Sequence, residues 1–488
     1  DTGPGAAQRF AEVSGSPPLL RAFLYRMPKG GDLHVHLSGA AYAEPNLRAG
    51  AAAGRCANLN SGQVSQPPCA KGTDNLAKMV DKADPVRALV DAWSMRNFVP
   101  SSGYSGHDHF FGTFSRFGGV ADPPDMAAEV IDRAGRQRMR YIELMITFQG
   151  HAVAALADSV NATRPWTGDM AAFQADLMAA GLTGLVQRAV QDVQALDQQF
   201  RRIQRCDTAA ASPGCGVTVR WLAQVTRTAP PWRVFAQTLF AALLQRAHPH
   251  VVGLNFVAPE DDPVALADYT AQMRMLDHVF HAHPDTAVAL HAGELTLGLV
   301  PPEDLTFHIR QAVALGHARR IGHGVSVMYE TDAFDLLREM ARRRVAVEIN
   351  LTSNAQILRV AGADHPFPVF RAAGVPTVIS TDDEGVERID RTHELQRAAT
   401  SYGLGWTDLV ELERNTLEYA FVAGASLWAD PVRWRMVPAC DGASPAAEPL
   451  PACAAFLDGS EKARLQWALE RDLIAFDREA AGMRLGPP

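Results

Sequence analysis

The sequence predicts an α/β chain that closes as a (β/α)8 TIM barrel, with an N-terminal helical segment and a large insertion after the first strand. Three observations predict it. Short runs rich in Val, Ile and Leu recur along the 488 residues, as buried parallel strands do. Longer Ala/Leu/Arg/Gln stretches of helical period separate them. The alternation occurs eight times, which matches a closed barrel of strands wrapped in helices. With 47% hydrophobic and 20% charged residues, the chain can bury a large core.

The predicted strands run, in order, over residues 32–37, 141–146, 217–224, 251–256, 287–291, 320–322, 345–350 and 377–380. Helices are expected at residues 170–193, 234–246, 264–283, 304–315, 333–343 and 365–373. Residues 1–26 read as the N-terminal helical segment and 27–435 as the barrel, with its insertion at about 50–120. Residues 436–488 read as a C-terminal disulfide loop and helix.

Charge and cysteine usage narrow the function classes. The 46 Lys plus Arg against 54 Asp plus Glu give a net charge of −8, with no basic run to condense onto a polyanion. Nucleic acid is therefore not an expected partner. No membrane span is expected either, because the best apolar run, Val234 to Leu244, is short and carries Gln237. The six cysteines fall into three local pairs, Cys56 with Cys69, Cys206 with Cys215 and Cys440 with Cys453, each closing a loop rich in small and polar residues. Three disulfides are the reading, against an alternative of six buried thiols, and no CxxC suggests zinc at these positions. Disulfides imply an oxidising compartment. With Asp1 opening a Gly/Ala-rich start, the expectation is an exported protein, periplasmic or secreted, whose signal peptide has been removed.

The polar residues that interrupt the strands carry the chemistry. In Asp32-Leu-His34-Val-His36, a period of two puts both imidazoles on one strand face. Inward histidines are costly to bury unpartnered, and a zinc ion would accept both; two hydrogen-bonded core histidines are the plainer alternative. The fifth strand ends in His291-Ala-Gly-Glu294, the sixth in Gly322-His323-Gly324, and the eighth in Thr381-Asp382-Asp383-Glu384. Singly these read as a core histidine, a turn residue and a solvated helix start complementing the dipole. Their coincidence at strand ends one, five, six and eight does not, because barrel catalytic groups sit at the C-terminal strand ends.

His34, His36, His291 and Asp382 together form a three-nitrogen, one-oxygen set for a single divalent ion, leaving one position for water. Such an ion would acidify its water toward a pKa of about 7. His323 would take the proton, and Glu294 and Asp383 would address the substrate, one of them protonated. The fourth strand end, Gly253-Leu-Asn255-Phe-Val-Ala258, offers no second-metal ligand.

With these motifs the chain resembles the adenosine deaminase family, and within it the exported branch related to adenosine deaminase growth factors. The matching segments are Met27-Pro-Lys-Gly-Gly-Asp-Leu-His34-Val-His36-Leu-Ser-Gly39, His291-Ala-Gly-Glu294, Arg320-Ile-Gly-His323-Gly, Thr352-Ser-Asn354 and Ser380-Thr-Asp382-Asp383. The resemblance implies one Zn2+ per chain on His34, His36, His291 and Asp382. It also implies that Glu294 donates to purine N1, that His323 orients and deprotonates the water, and that Asp383 contacts N7 and the attacking oxygen. The implied reaction is hydrolytic deamination of adenosine, or a close 6-aminopurine nucleoside, to inosine and ammonia.

Two positions depart from the family pattern: Ser38 stands where an acid often holds the ribose, and Ala258 where a glycine gives its N–H to purine N3. Deamination of adenine or a modified adenosine, or nucleoside binding without catalysis, are the alternative functions. The segment from Trp93 to Phe117, with Tyr104, His107, His109, Phe110, Phe111 and Phe114, would either wall the pocket or pack a helix on the barrel, and Trp93 is a candidate pocket residue. A homodimer is left open.

Overall fold

The computed structural model describes residues 4–483. Asp1, on which the signal-peptide expectation rests, lies outside them. Eight parallel strands form the barrel: β1 (Lys29–His36), β2 (Met139–Ile146), β3 (Thr218–Thr226), β4 (Val251–Val257), β5 (Ala289–Ala292), β6 (Arg320–His323), β7 (Ala346–Ile349) and β8 (Thr377–Ile379). Strands β1 to β4 pair in order as one four-stranded parallel sheet and β5 to β8 as another. Single parallel bridges, Val35 to Asp382 and Leu254 to Val288, join the two. The strands are buried on both faces, which is why they read as continuous apolar runs.

Every predicted strand is present, with ends shifted by a few residues. Two predicted helices break. Residues 170–193 divide into Met170–Ala179 and Leu182–Ile203 at Gly181, whose φ of +108° is open to glycine and not to a helical residue. Residues 304–315 divide into a 3-10 turn, Pro302–Leu305, and a helix, His308–Ala314. The buried Glu330 carboxylate there accepts the N–H of Ile309 at 2.6 Å and so starts the new helix. The third expected helix in this half begins at Phe367 rather than residue 365, because Pro366 occupies the cap.

Between β1 and β2 the insertion carries a small antiparallel sheet of Cys56–Ala57, Val64–Ser65 and Asp74–Asn75, then helices Ala83–Ala92 and Gly106–Phe117. Its own core gathers Leu76, Leu89, Trp93, Phe110 and Phe117. The N-terminal helices, Pro4–Val13 and Pro17–Arg26, close the other end of the barrel with Glu461–Ala481, where Phe23 packs 5.7 Å from Trp406 and 5.2 Å from Phe476. No helix among the described residues is long and apolar enough to cross a membrane.

All three local cysteine pairs are disulfides, with Cα–Cα distances of 5.5, 5.2 and 4.5 Å, and no cysteine is free. Cys440 and Cys453 are fully buried beneath Trp428 and Trp467. Replacing both by Ser is expected to cost roughly 2–4 kcal/mol. Urea unfolding would show it as a lower midpoint, and an unchanged midpoint would contradict it.

Candidate active site

The C-terminal strand ends meet in a cavity of about 350 Å³ lined by His36, Ser38, Phe110, Phe111, Phe114, Gln224, Val257, Ala258, Pro259, His291, Glu294, Ile357, Asp382 and Asp383. At three of these ends, non-glycine residues adopt left-handed backbone: Ala258 after β4 (φ +82°), His323 at β6 (+69°) and Asp382 after β8 (+57°). L-residues pay for that conformation, which the packing of these strand ends imposes.

The four expected ligands converge. His291 Nε2 lies 3.0 Å from His34 Nε2 and 3.2 Å from His36 Nε2. Asp382 Oδ1 lies 3.4 and 3.3 Å from the same two nitrogens of His34 and His36. All four donor atoms lie within 4.8 Å of one another. A tetrahedral ion with bonds of about 2.0–2.1 Å places its donors roughly 3.3 Å apart, so the set fits a divalent cation.

The opposite ring nitrogens support that fit. His34 Nδ1 meets Glu348 Oε2 at 2.6 Å, His36 Nδ1 meets the Gln224 amide at 3.0 Å, and His291 Nδ1 donates to Asn255 Oδ1 at 2.9 Å. With the His34 and His291 protons directed outward, their two Nε2 lone pairs face each other 3.0 Å apart, which is repulsive unless a cation stands between them, while His36 Nδ1 accepts from the Gln224 amide. Burial opposes a charge on His34, yet Asp382 and Glu348 outweigh it and push its pKa up to about 10. The site thus favours positive charge at this point. Burial lowers His36 to about 4 and holds His291 well below the ordinary histidine range.

Close approach around the site depends on glycine at two points. A Cβ on Gly322 would lie 2.6 Å from the His34 ring, and one on Gly39 would lie 1.7 Å from Asp383 Oδ1.

His323 Nδ1 lies 2.9 Å from the Asn354 amide, while its Nε2 is buried, has no hydrogen-bond partner and lies 3.7 Å from Asp382 Oδ2. Burial pushes this imidazole down to about 3, so it is neutral. Glu294 is buried, with Oε1 3.5 Å from His323 Nδ1 and no hydrogen-bond partner. Burial, reinforced by Asp382, raises Glu294 well above the carboxylate range, and the same two causes raise Asp383. The mouth therefore sets a neutral imidazole and two carboxyl groups of raised pKa around a candidate cation site.

Ser38 and Ala258 line the cavity as expected. Trp93 does not. Its indole is 2% exposed and donates to the Gly62 carbonyl at 2.7 Å inside the insertion core, so a neighbour in sequence to the pocket wall lies behind it. Phe110, Phe111 and Phe114 form that wall, and Phe110 also packs the helix, so both readings of the aromatic segment hold.

Several supporting residues escaped the sequence reading. Glu348, in the middle of the apolar β7, accepts from His34 and from Arg320, whose guanidinium also reaches Glu143 on β2. A charged residue inside a buried strand was the available signal. Asn255 and Gln224 sit inside β4 and β3, two residues before their ends, as neutral amides whose residue type alone does not mark them as supports of the site.

A parallel barrel that gathers three imidazoles, a carboxylate and two further acids at its C-terminal mouth defines an amidohydrolase-type enzyme. The adenosine deaminase family model matches residues 120–426, more than half of the chain, and the chain belongs to the adenosine deaminase family. It is 38% identical over 137 residues to the adenosine deaminase of Salmonella dublin, a match covering 28% of this chain and 38% of that relative. The chain thus spans about two fifths of the length of the curated relatives it matches.

Among solved structures, it resembles the adenine deaminase of Arthrobacter aurescens (TM-score 0.51, 17% identity, covering 81% of this chain and 94% of that one). It also resembles the N6-methyl-AMP deaminase of Arabidopsis thaliana (TM-score 0.52, 19% identity, covering 83% and 94%). At these identities the likeness speaks for the fold.

Proposed function

We propose that the chain is a zinc-dependent enzyme that hydrolyses adenosine, or a close 6-aminopurine nucleoside, to the 6-oxopurine and ammonia, with residues 27–435 as the catalytic unit. The observation that carries this reading is the buried Glu294 carboxyl, its pKa raised by burial, 3.5 Å from His323 beside the donor set of His34, His36, His291 and Asp382. When bound, zinc supplies Lewis acidity that makes a water easier to deprotonate. His323 orients that water, its ring held by the Asn354 amide that donates to Nδ1 and leaves the hydrogen on Nε2. Glu294 donates its proton to ring nitrogen N1, which draws electrons from C6. Asp383 meets N7 and the incoming oxygen. The water oxygen adds to C6 to give a tetrahedral carbon; the water's proton passes to the amino group, which leaves as ammonia as the C–N bond breaks, and the C6–OH proton returns to Glu294 as the 6-oxo group forms.

The sugar falls to Ser38 and the Phe110, Phe111 and Phe114 wall, and the purine edge to the Ala258 backbone. No Lys or Arg lines the cavity, whereas Glu294, Asp382 and Asp383 do. A 5′-phosphate would be buried without a counter-charge, at a cost on the order of 3–5 kcal/mol. Adenosine should therefore exceed AMP by at least about 10²-fold in kcat/KM. Equal turnover of both would refute the neutral-substrate reading. A second reading, adenine or a modified adenosine, is favoured by the neutral Ser38 and the added methyl of Ala258. The three disulfides support export to an oxidising compartment.

The test is ammonia release across adenosine, adenine, N6-methyladenosine and AMP, on protein of quantified zinc content with a chelated control. Zinc-dependent turnover of adenosine supports the proposal; zinc binding without turnover of any of the four would overturn it.

A further inference from the structure

Among the described residues no hydrogen bond holds the Glu294 carboxyl in place: Oε1 is buried without a partner and lies 3.5 Å from His323 Nδ1. Its position is therefore set by its backbone, which leaves β5 through Gly293 at φ +78°. Beneath that turn lies Glu260, 1% exposed, two residues beyond Ala258 on the loop after β4. Glu260 Oε1 accepts the Gly293 N–H at 3.0 Å and Oε2 the Glu294 N–H at 2.8 Å.

A third donor, His308 Nδ1, reaches Oε1 at 2.7 Å. His308 is itself fully buried, with its ring stacked 3.7 Å from Tyr269. Burial opposes a charge on Glu260, but His308, Arg227 and the Gly293 amide outweigh it and keep its pKa below the ordinary carboxylate range. Two carboxylate oxygens thus receive three donors, two of them from the turn that carries the acid.

We propose that Glu260, steadied by His308, is a positioning residue that aims Glu294 by clamping the backbone amides of Gly293 and Glu294. It touches no substrate. The proposal rests on Glu294 being the proton donor, as argued above. A Gln at this position offers one acceptor oxygen and turns an NH2 toward an N–H, so it releases part of the clamp with almost no change in volume.

The test compares zinc-loaded wild type and Glu260→Gln by hydrogen exchange over residues 293–295 and by steady-state adenosine deamination. The expected result is exchange faster by at least about 10-fold. With it, kcat should fall by roughly 10–100-fold, the scale of a misplacement near 1 Å, with KM and zinc content near wild type. His308→Asn should move both readouts in the same direction by less, and it stands in if Glu260→Gln does not fold. Unchanged exchange would overturn the clamp, and faster exchange with unchanged kcat would overturn the positioning role. Wild type that does not deaminate would instead refute the proposed function, leaving the clamp to be judged by exchange alone.

Discussion

Glu294→Gln is expected to retain a full complement of bound zinc and to lose turnover by at least about 10²-fold, the lower bound for removing a general acid. Glu294 is not among the four converging donors at His34, His36, His291 and Asp382, so the ion site should survive. The amide keeps the shape of the carboxylic acid and can still donate a hydrogen bond, but it has no proton to give up. The loss should fall on kcat while KM moves little, because the interaction matters in the transition state rather than on binding. Steady-state rates alongside zinc analysis of the same preparation would check it. Near-native turnover would overturn the assignment of the acid.

His291→Ala is expected to abolish zinc retention and activity together. Its Nε2 is the central donor, 3.0 Å from His34 Nε2 and 3.2 Å from His36 Nε2. Removing it leaves two nitrogens and one carboxylate oxygen and also strips Asn255 Oδ1 of its ring partner. Changes to groups that only orient a ligand already weaken metal affinity about 10–100-fold, so losing the ligand should exceed that range. Equilibrium dialysis against zinc would measure it, and a variant that still binds one zinc per chain with wild-type affinity would remove His291 from the set.

The strands were legible because burial on both faces writes itself as runs of Val, Ile and Leu. The site was legible because its histidines and acids interrupt those runs at their ends. Spacing put His34 and His36 on one face, and the coincidence of four strand ends supplied the rest. What orients these groups was not legible. Glu348 lies 314 residues from His34, and Glu260 lies 34 residues from Glu294, so only the closed barrel brings either pair together. Trp93 fails for a related reason: apolar content marks the segment as buried but cannot say which aromatic faces the pocket and which gives its N–H to Gly62. The helix predicted over 170–193 shows the limit of periodicity, since its apolar pattern continues past Gly181 while the backbone does not.

The two half-barrels meet along seams of only one bridge each, and Asp382 is itself part of the first, donating its N–H to the His34 carbonyl and accepting from the His36 N–H. The donors straddle those seams, with His34 and His36 on one half and His291 and Asp382 on the other. An ion held by all four is therefore a staple across the barrel as well as a reagent within it. Closure of the fold and loading of the site become one equilibrium, so melting temperature should climb with free zinc, by about 2.7 kcal/mol of added stability at a hundred times Kd.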